Sequence, residues 1–166
     1  GGPSRRVLGD LCGGVFGGLL GATLLGLGQA LPVWLVASFF VAFFAPIINA
    51  SNQSLWQAKV EPDVQGRVFS VRRLIAWVVM PLGQLLAGPL ADQVFEPAMQ
   101  SGGRLADTFG WLVGTGPGAG MGLIMVITGL GAALTGAVGY AARPVRDVEE
   151  ILPDFDAEAV AEASAA

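Results

Sequence analysis

Long uninterrupted apolar runs, rather than any strand-like alternation, organise this chain. Positions 11–28, 31–48, 74–91 and 121–142 hold eighteen or more residues each without a charged side chain. A helix rises about 1.5 Å per residue, so each run can cross a hydrocarbon core about 30 Å thick. Backbone groups find no water inside lipid, and a helix satisfies them within one segment. The pattern predicts an all-α polytopic membrane protein with transmembrane helices over 7–28, 31–58, 68–91 and 121–142. The second helix carries a cytoplasmic extension. Loops are expected at 1–6, 59–67 and 92–120. An acidic tail at 143–166 lacks the apolar content to fold.

Charge fixes the orientation. Four spans put both termini and the central 51–73 segment on one side, with Arg5, Arg6, Lys59, Arg67, Arg72, Arg73, Arg143 and Arg146. The opposite side holds Arg104 alone. Basic residues accumulate on the cytoplasmic face, so both termini are expected in the cytoplasm of a multi-pass plasma-membrane protein. Arginine at the bilayer centre costs about 2.5–3.5 kcal/mol, which places Arg72 and Arg73 at the inner interface. The helix carrying them can begin earlier, with both side chains snorkelling to the headgroups. The net charge of −4 arises largely from the tail, where Asp147, Glu149, Glu150, Asp154, Asp156, Glu158 and Glu162 follow the last span.

Composition excludes several chemistries. With 53% hydrophobic and 13% charged residues, the chain is too apolar for a soluble domain of its size. It has no histidine and one cysteine, Cys12. Ser-His-Asp and Cys-His catalysis are therefore out, as are an internal disulfide and a cysteine-rich metal site. No basic patch with interleaved aromatics suggests nucleic acid. Neither an enzyme nor a bound cofactor is expected. Because the chain starts at Gly1 without a signal peptide, we expect it to be part of something longer.

Within the spans, small residues recur at helical spacing. Gly13, Gly17 and Gly21 form one row and Gly14 and Gly18 a second beside it; Thr128, Ala132 and Gly136 form another in the last span. Such rows let helix backbones approach closely in lipid, either as static interfaces or as faces that slide. Pro46 should kink the second span. Beyond it Asn49, Asn52, Gln53, Trp56 and Gln57 share a face, which either bonds neighbouring helices or lines a substrate path. Asp63 and Arg67 can pair locally beside Gly66. In the third span Pro81, Gly83, Gly88 and Pro89 indicate a bend around Gln84, its strongly polar mid-span side chain. Phe95, Phe109 and Trp111 suit the outer interface. The glycine-rich run at 114–120 lacks the Lys-Ser/Thr of a phosphate loop and reads as a flexible connector.

These residues resemble the C-terminal portion of a major facilitator superfamily transporter, of the macrolide-efflux-like and siderophore-exporter-like branch. The likeness extends to about Asp154. It is carried by Asn49-Ala50-Ser51-Asn52-Gln53, Trp56-Gln57-Ala58-Lys59-Val60, Gln65-Gly66-Arg67-Val68-Phe69 and Val71-Arg72-Arg73. Ala87-Gly88-Pro89-Leu90-Ala91-Asp92 and Val94-Phe95-Glu96-Pro97 continue it. The resemblance implies that the four spans correspond to helices nine to twelve of a twelve-helix transporter. It also implies that Gly1, Gly2, Arg5 and Arg6 end the family's cytoplasmic gate motif, whose acidic residue would lie upstream.

The function implied is that of part of a secondary exporter, proton-coupled, for an amphipathic organic compound such as a drug, macrolide or siderophore. Substrate-path candidates are Asn49, Asn52, Gln53, Gln57 and Gln84. Gate candidates are Gly2, Arg5, Arg6, Asp63, Gly66 and Arg67. Helix-packing candidates are Gly13, Gly17, Gly21, Gly88 and Gly136. The expected partners are membrane lipid, the missing N-terminal helices and a small organic substrate. Coupling carboxylates would lie on those other helices, since no span here carries one; Asp10 sits near the inner interface, suited to capping or charge pairing. The alternative is a non-transporting four-helix assembly or anchor protein, or an inactive transporter fragment.

Overall fold

A computed structural model describes residues 6–152 and Asp154, and among them every regular element is helical. Four helices are long and apolar enough to span a membrane: α1 (Arg6–Leu27), α2 (Leu31–Lys59), α3 (Pro62–Met99) and α5 (Ala119–Ala141). The short α4 (Ala106–Val113) precedes α5, and single turns α6 (Arg143–Arg146) and α7 (Val148–Ile151) follow it. At 38 residues, α3 is longer than a bilayer needs, and its outer end runs into the segment expected as a loop. The residues 1–5 and 155–166, including Gly1, Gly2 and Arg5 and most of the acidic tail, lie outside the described residues.

The first helix is the hub, and glycine makes it so. A methyl group added at Gly13 would sit 2.6 Å from Ile48 Cγ1, at Gly17 3.3 Å from Phe44 Cβ, and at Gly21 2.8 Å from Val41 Cγ2. One row of α1 thus packs antiparallel on α2. The adjacent row meets α5. A methyl at Gly18 would fall 2.9 Å from Ala133 N and closer still to the Gly129 carbonyl, while Gly26 overlies Gly122. Opposite them, Gly136 would put a methyl 2.8 Å from the Leu11 carbonyl. Absence of Cβ atoms lets backbones touch where lipid supplies no hydrophobic drive. In α5 the contact face is Leu123, Val126, Gly129, Ala133 and Gly136, all buried. Of the expected row, Gly136 lies in the seam and Ala132 Cβ would meet a methyl at Gly18 at 3.3 Å, but Thr128 is corrected: it is exposed. The Thr128 hydroxyl instead bonds its own helix, at the Ile124 and Met125 carbonyls.

Where the glycines of α1 crowd together, at Gly17–Thr23, the helix widens into π turns. The Leu24 N–H there reaches the Leu19 and Gly21 carbonyls. A second π segment, Ala91–Phe95, follows Pro89 in α3. Proline removes a ladder donor, and a widened turn is one way a helix absorbs the loss. Both helices continue through their internal prolines, Pro46 in α2 and Pro81 and Pro89 in α3.

Two loop expectations are corrected. The 59–67 loop shrinks to Val60 and Glu61, because Pro62 occupies the first turn of α3, where its missing N–H has no partner to lose. Gly66 and Arg67 are consequently helical. The 92–120 segment is largely folded as well. Met99, Val113, Ala119, Leu123 and Val126 form a buried cluster, flanked by Phe95, Leu105 and Phe109, that ties the outer ends of α3, α4 and α5 together. The glycine run turns sharply, with φ of 84° at Gly114, 111° at Gly116 and 89° at Gly118, conformations that side chains disfavour. The Glu96 carboxylate then accepts the Gly118 N–H and, at 3.0 Å, the Gly120 N–H. It thereby caps the first turn of α5, whose amides lack helical partners and whose dipole favours an anion.

Between its two ends α3 stands apart. No residue of Pro62–Leu90 is buried, and 73–90 are exposed on every side. Nothing lies within 4 Å of a methyl built at Gly83 or Gly88. The expected packing residue Gly88 therefore meets no described helix along that stretch.

Candidate functional site

The start of α1, the end of α2 and the start of α3, at the end of the bundle that the charges assign to the cytoplasm, carry the groups the sequence singled out. Asn52 and Trp56 are one helical turn apart on α2, so both side chains meet the same neighbour. That neighbour is Arg72 of α3. Its Nη2 donates to Asn52 Oδ1 at 2.5 Å, and its Cζ lies 4.6 Å from the Trp56 ring centroid. A planar guanidinium can donate in its plane and stack on its face at once, which an ammonium cannot do. Arg72 is thus a clasp between α2 and the inner half of α3. The adjacent Arg73 points elsewhere and is exposed.

The rest of the predicted polar face divides. Asn49 Nδ2 turns back to the Ala45 carbonyl at 2.9 Å. Gln53 is exposed, with no hydrogen bond to another described residue. Gln57 contributes through its main-chain carbonyl, which accepts from Gln65 Nε2 at 2.9 Å; Gln65 also bonds the Val60 carbonyl at 2.8 Å. Gln65 therefore fixes the two-residue turn, a role the sequence did not suggest. Gln84 is exposed in the middle of α3. The local Asp63–Arg67 pair does not form among the described residues: both side chains are exposed. Asp63 lies in the first turn of α3, where its charge suits the helix dipole.

A second polar cluster joins three chain segments at the same inner end. Arg6 donates its main-chain N–H to Glu149 Oε1 at 3.0 Å, and its Nη1 lies 3.2 Å from Asp154 Oδ2. Lys59, at the end of α2, reaches Asp154 Oδ1 at 2.9 Å and the carbonyls of Glu149 and Leu152. The hydrogen bond from Lys59, reinforced by the charges of Lys59 and Arg6, holds the Asp154 carboxyl below the ordinary carboxylate range despite partial desolvation. The gate candidate Arg6 is thus engaged by the segment after α5, not by α3. Acid-rich composition hid this, because a run of carboxylates reads equally well as a solvated tail.

The starts of α1 and α3 and the ends of α2 and α5 share this end of the bundle. Arg6, Lys59, Arg67, Arg72, Arg73, Arg143 and Arg146 gather towards it, and Arg104 belongs to the segment between the outer ends of α3 and α5. Among the described residues no group of three or more His, Cys, Asp or Glu could hold a metal ion. One further polar atom is unusual. Thr23 Oγ1 is buried in the π segment of α1 against Gly129 and has no hydrogen-bond partner among the described residues. The chain matches no protein family, no curated protein and no solved structure.

Proposed function

We propose that this chain is part of a secondary transporter that exports an amphipathic organic compound across the plasma membrane. In this reading it is the closing third of a major facilitator-type protein with its arginine-rich ends in the cytoplasm. The observation that carries the reading is the isolation of α3. A membrane helix with a polar amide at mid-span does not face hydrocarbon on all sides, because the amide would lack partners there. Gln84 and the bare surfaces at Gly83 and Gly88 require either further helices or a water-filled path. Both are what a transporter's central cavity supplies, with binding at the midplane between two repeats.

On this reading α1, α2 and α5 form a glycine-seamed wall, and α3 lines the route. The clasp between Arg72, Asn52 and Trp56 closes the inner end between α2 and α3. No span here offers a mid-membrane carboxylate, so proton coupling belongs to helices beyond this chain. The test is dye uptake into inverted membrane vesicles from cells making the full polypeptide that contains this chain. Uptake of ethidium should require the proton gradient, vanish with a protonophore, and fall severalfold in Gln84→Leu. Gradient-independent uptake equal to that of vesicles without the protein, repeated with a macrolide and a siderophore, overturns the proposal.

A further inference from the structure

At the outer end of the wall, α1, α2, the bend at 114–118 and α5 line a half-open cavity of about 510 Å³. We infer that this cavity binds an uncharged amphipathic small molecule entering from the outer leaflet. The inference rests on the membrane-spanning fold and stands whether or not the protein transports anything.

The space exists because of glycine. The last turn of α1, the bend at 114–118 and the first turns of α5 line it, and five of its fourteen lining residues lack a side chain. Gly28 also lets Trp34 lie flat against the chain: its carbonyl accepts the indole Nε1–H at 2.7 Å, and a Cβ there would collide with the ring. Trp34 is therefore a fixed wall, its donor already used. Leu25, Met121 and Met125 supply an apolar surface, and unbranched methionines adapt to irregular guests. Gln29 and Thr115 are exposed and bring hydrogen-bonding groups to the same lining.

The chemistry of the guest follows from what the lining omits. No charged side chain contributes to it. An ion placed there would lose part of its water without gaining a counter-charge, which is unfavourable. That argument also disfavours a phospholipid, whose phosphate would find no basic partner in the lining. An apolar body with one or two hydrogen-bonding groups fits, and the volume lies within the range of about 300–1,000 Å³ common to small-molecule sites. The cavity opens at the end opposite the ionic cluster of Arg6, Lys59 and Asp154, where Trp34 and Trp111 mark the outer interface.

The experiment is fluorescence titration of the purified full polypeptide in detergent with N-phenyl-1-naphthylamine, an uncharged naphthylamine that brightens in apolar surroundings. Its anionic relative 1-anilinonaphthalene-8-sulfonate serves as the matched charged probe. Saturable binding of the neutral probe is expected, with the anionic one weaker by about tenfold or more. Met125→Trp, which fills the cavity, should weaken the neutral probe by a similar factor, and Thr115→Trp does the same from the loop if the helical variant fails to fold. Leu134→Trp makes the same kind of change on the exposed face of α5, outside the cavity, and should leave binding unaltered. Equal binding of both probes, or neutral-probe affinity untouched by both filling variants, overturns the proposal. Displacement of the neutral probe by added phosphatidylethanolamine and phosphatidylglycerol also overturns it, since the occupant would then be an acyl chain.

Discussion

Replacing Gly18 by alanine tests the helix seam most sharply, because the atoms in the way are backbone. The new methyl would lie 2.9 Å from Ala133 N and nearer to the Gly129 carbonyl, whereas ordinary contacts begin near 3.4 Å. Neither atom can swing aside, so α1 and α5 must separate locally by half an ångström or more. A gap of that size forfeits about a quarter to a half of each pairwise attraction of about 0.1–0.2 kcal/mol. Across roughly twenty atom pairs at the crossing, the loss is about 0.5–2 kcal/mol. Residual strain brings the expected figure to about 1–3 kcal/mol, the usual range for overpacking. Alanine also gains helix propensity over glycine, by about 0.5–1 kcal/mol, which masks part of the effect. Gly88→Ala gains the same propensity with no atom within 4 Å of the new methyl. The difference between the two variants therefore isolates packing. It is read by unfolding each protein in mixed micelles with increasing dodecyl sulfate, following helix content by circular dichroism. If Gly18→Ala proves as stable as Gly88→Ala, the close seam does not exist and the central place of α1 is wrong.

Other outcomes follow from single groups. Glu96→Ala strands the Gly118 and Gly120 amides and should destabilise the outer end by about 1–3 kcal/mol, with faster hydrogen exchange at those amides; unchanged exchange rules out the cap. Arg72→Lys keeps the charge but loses the stacked fork, so a spin-label pair on the inner halves of α2 and α3 should report a wider, broader distance distribution than the parent; an identical distribution argues against the clasp. The Asp154 carboxyl titrates below its unfolded value. Its attachment to Lys59 and Arg6 is thus complete above the unfolded pKa and is lost as pH falls through the lower folded one. Protease sensitivity of the segment after α5 should rise over that acidic window, and Asp154→Asn should be sensitive at every pH; a parent profile without acid dependence contradicts the contact. Cys12 is exposed near the inner end of α1, so an impermeant maleimide should label it in inverted vesicles and spare it in intact cells, the reverse pattern reversing the orientation.

Span positions were legible because hydrocarbon thickness imposes a length that composition cannot disguise. The ends of α1, α2 and α5 fall within one or two residues of the expected spans 7–28, 31–58 and 121–142. The two glycine rows of α1 were readable for a related reason: Gly13, Gly17 and Gly21 recur at the helical repeat in a segment that had to be helical. In α5 the same logic slipped by one position. Nearly every residue there is small or apolar, and the exposed Thr128 and Thr135 hydroxyls bond their own helix, so no charged or amide side chain marks the exposed face and Thr128 looked as good as Gly129. The folded 92–120 segment was hidden because Met99, Val113 and Leu123 come together from distant positions. Likewise, nothing local in Glu96 announces that its carboxylate reaches a helix start more than twenty residues on. The π segments were invisible to a reading built on a 3.6-residue repeat. Among candidate site residues, Asn52 was placed on the right face, yet its partner Arg72 had been assigned to the lipid interface alone.

The two seams on α1 have a consequence for biogenesis. One partner, α2, leaves the ribosome immediately after α1, but the other, α5, is separated from it by some ninety residues of chain. During that interval the Gly18 and Gly26 surface waits without its mate, and cotranslational pairing can supply only half of the three-helix wall. Ribosomes that stall before α5 therefore release a membrane-inserted product with a naked backbone groove, a distinctive mark for intramembrane quality control.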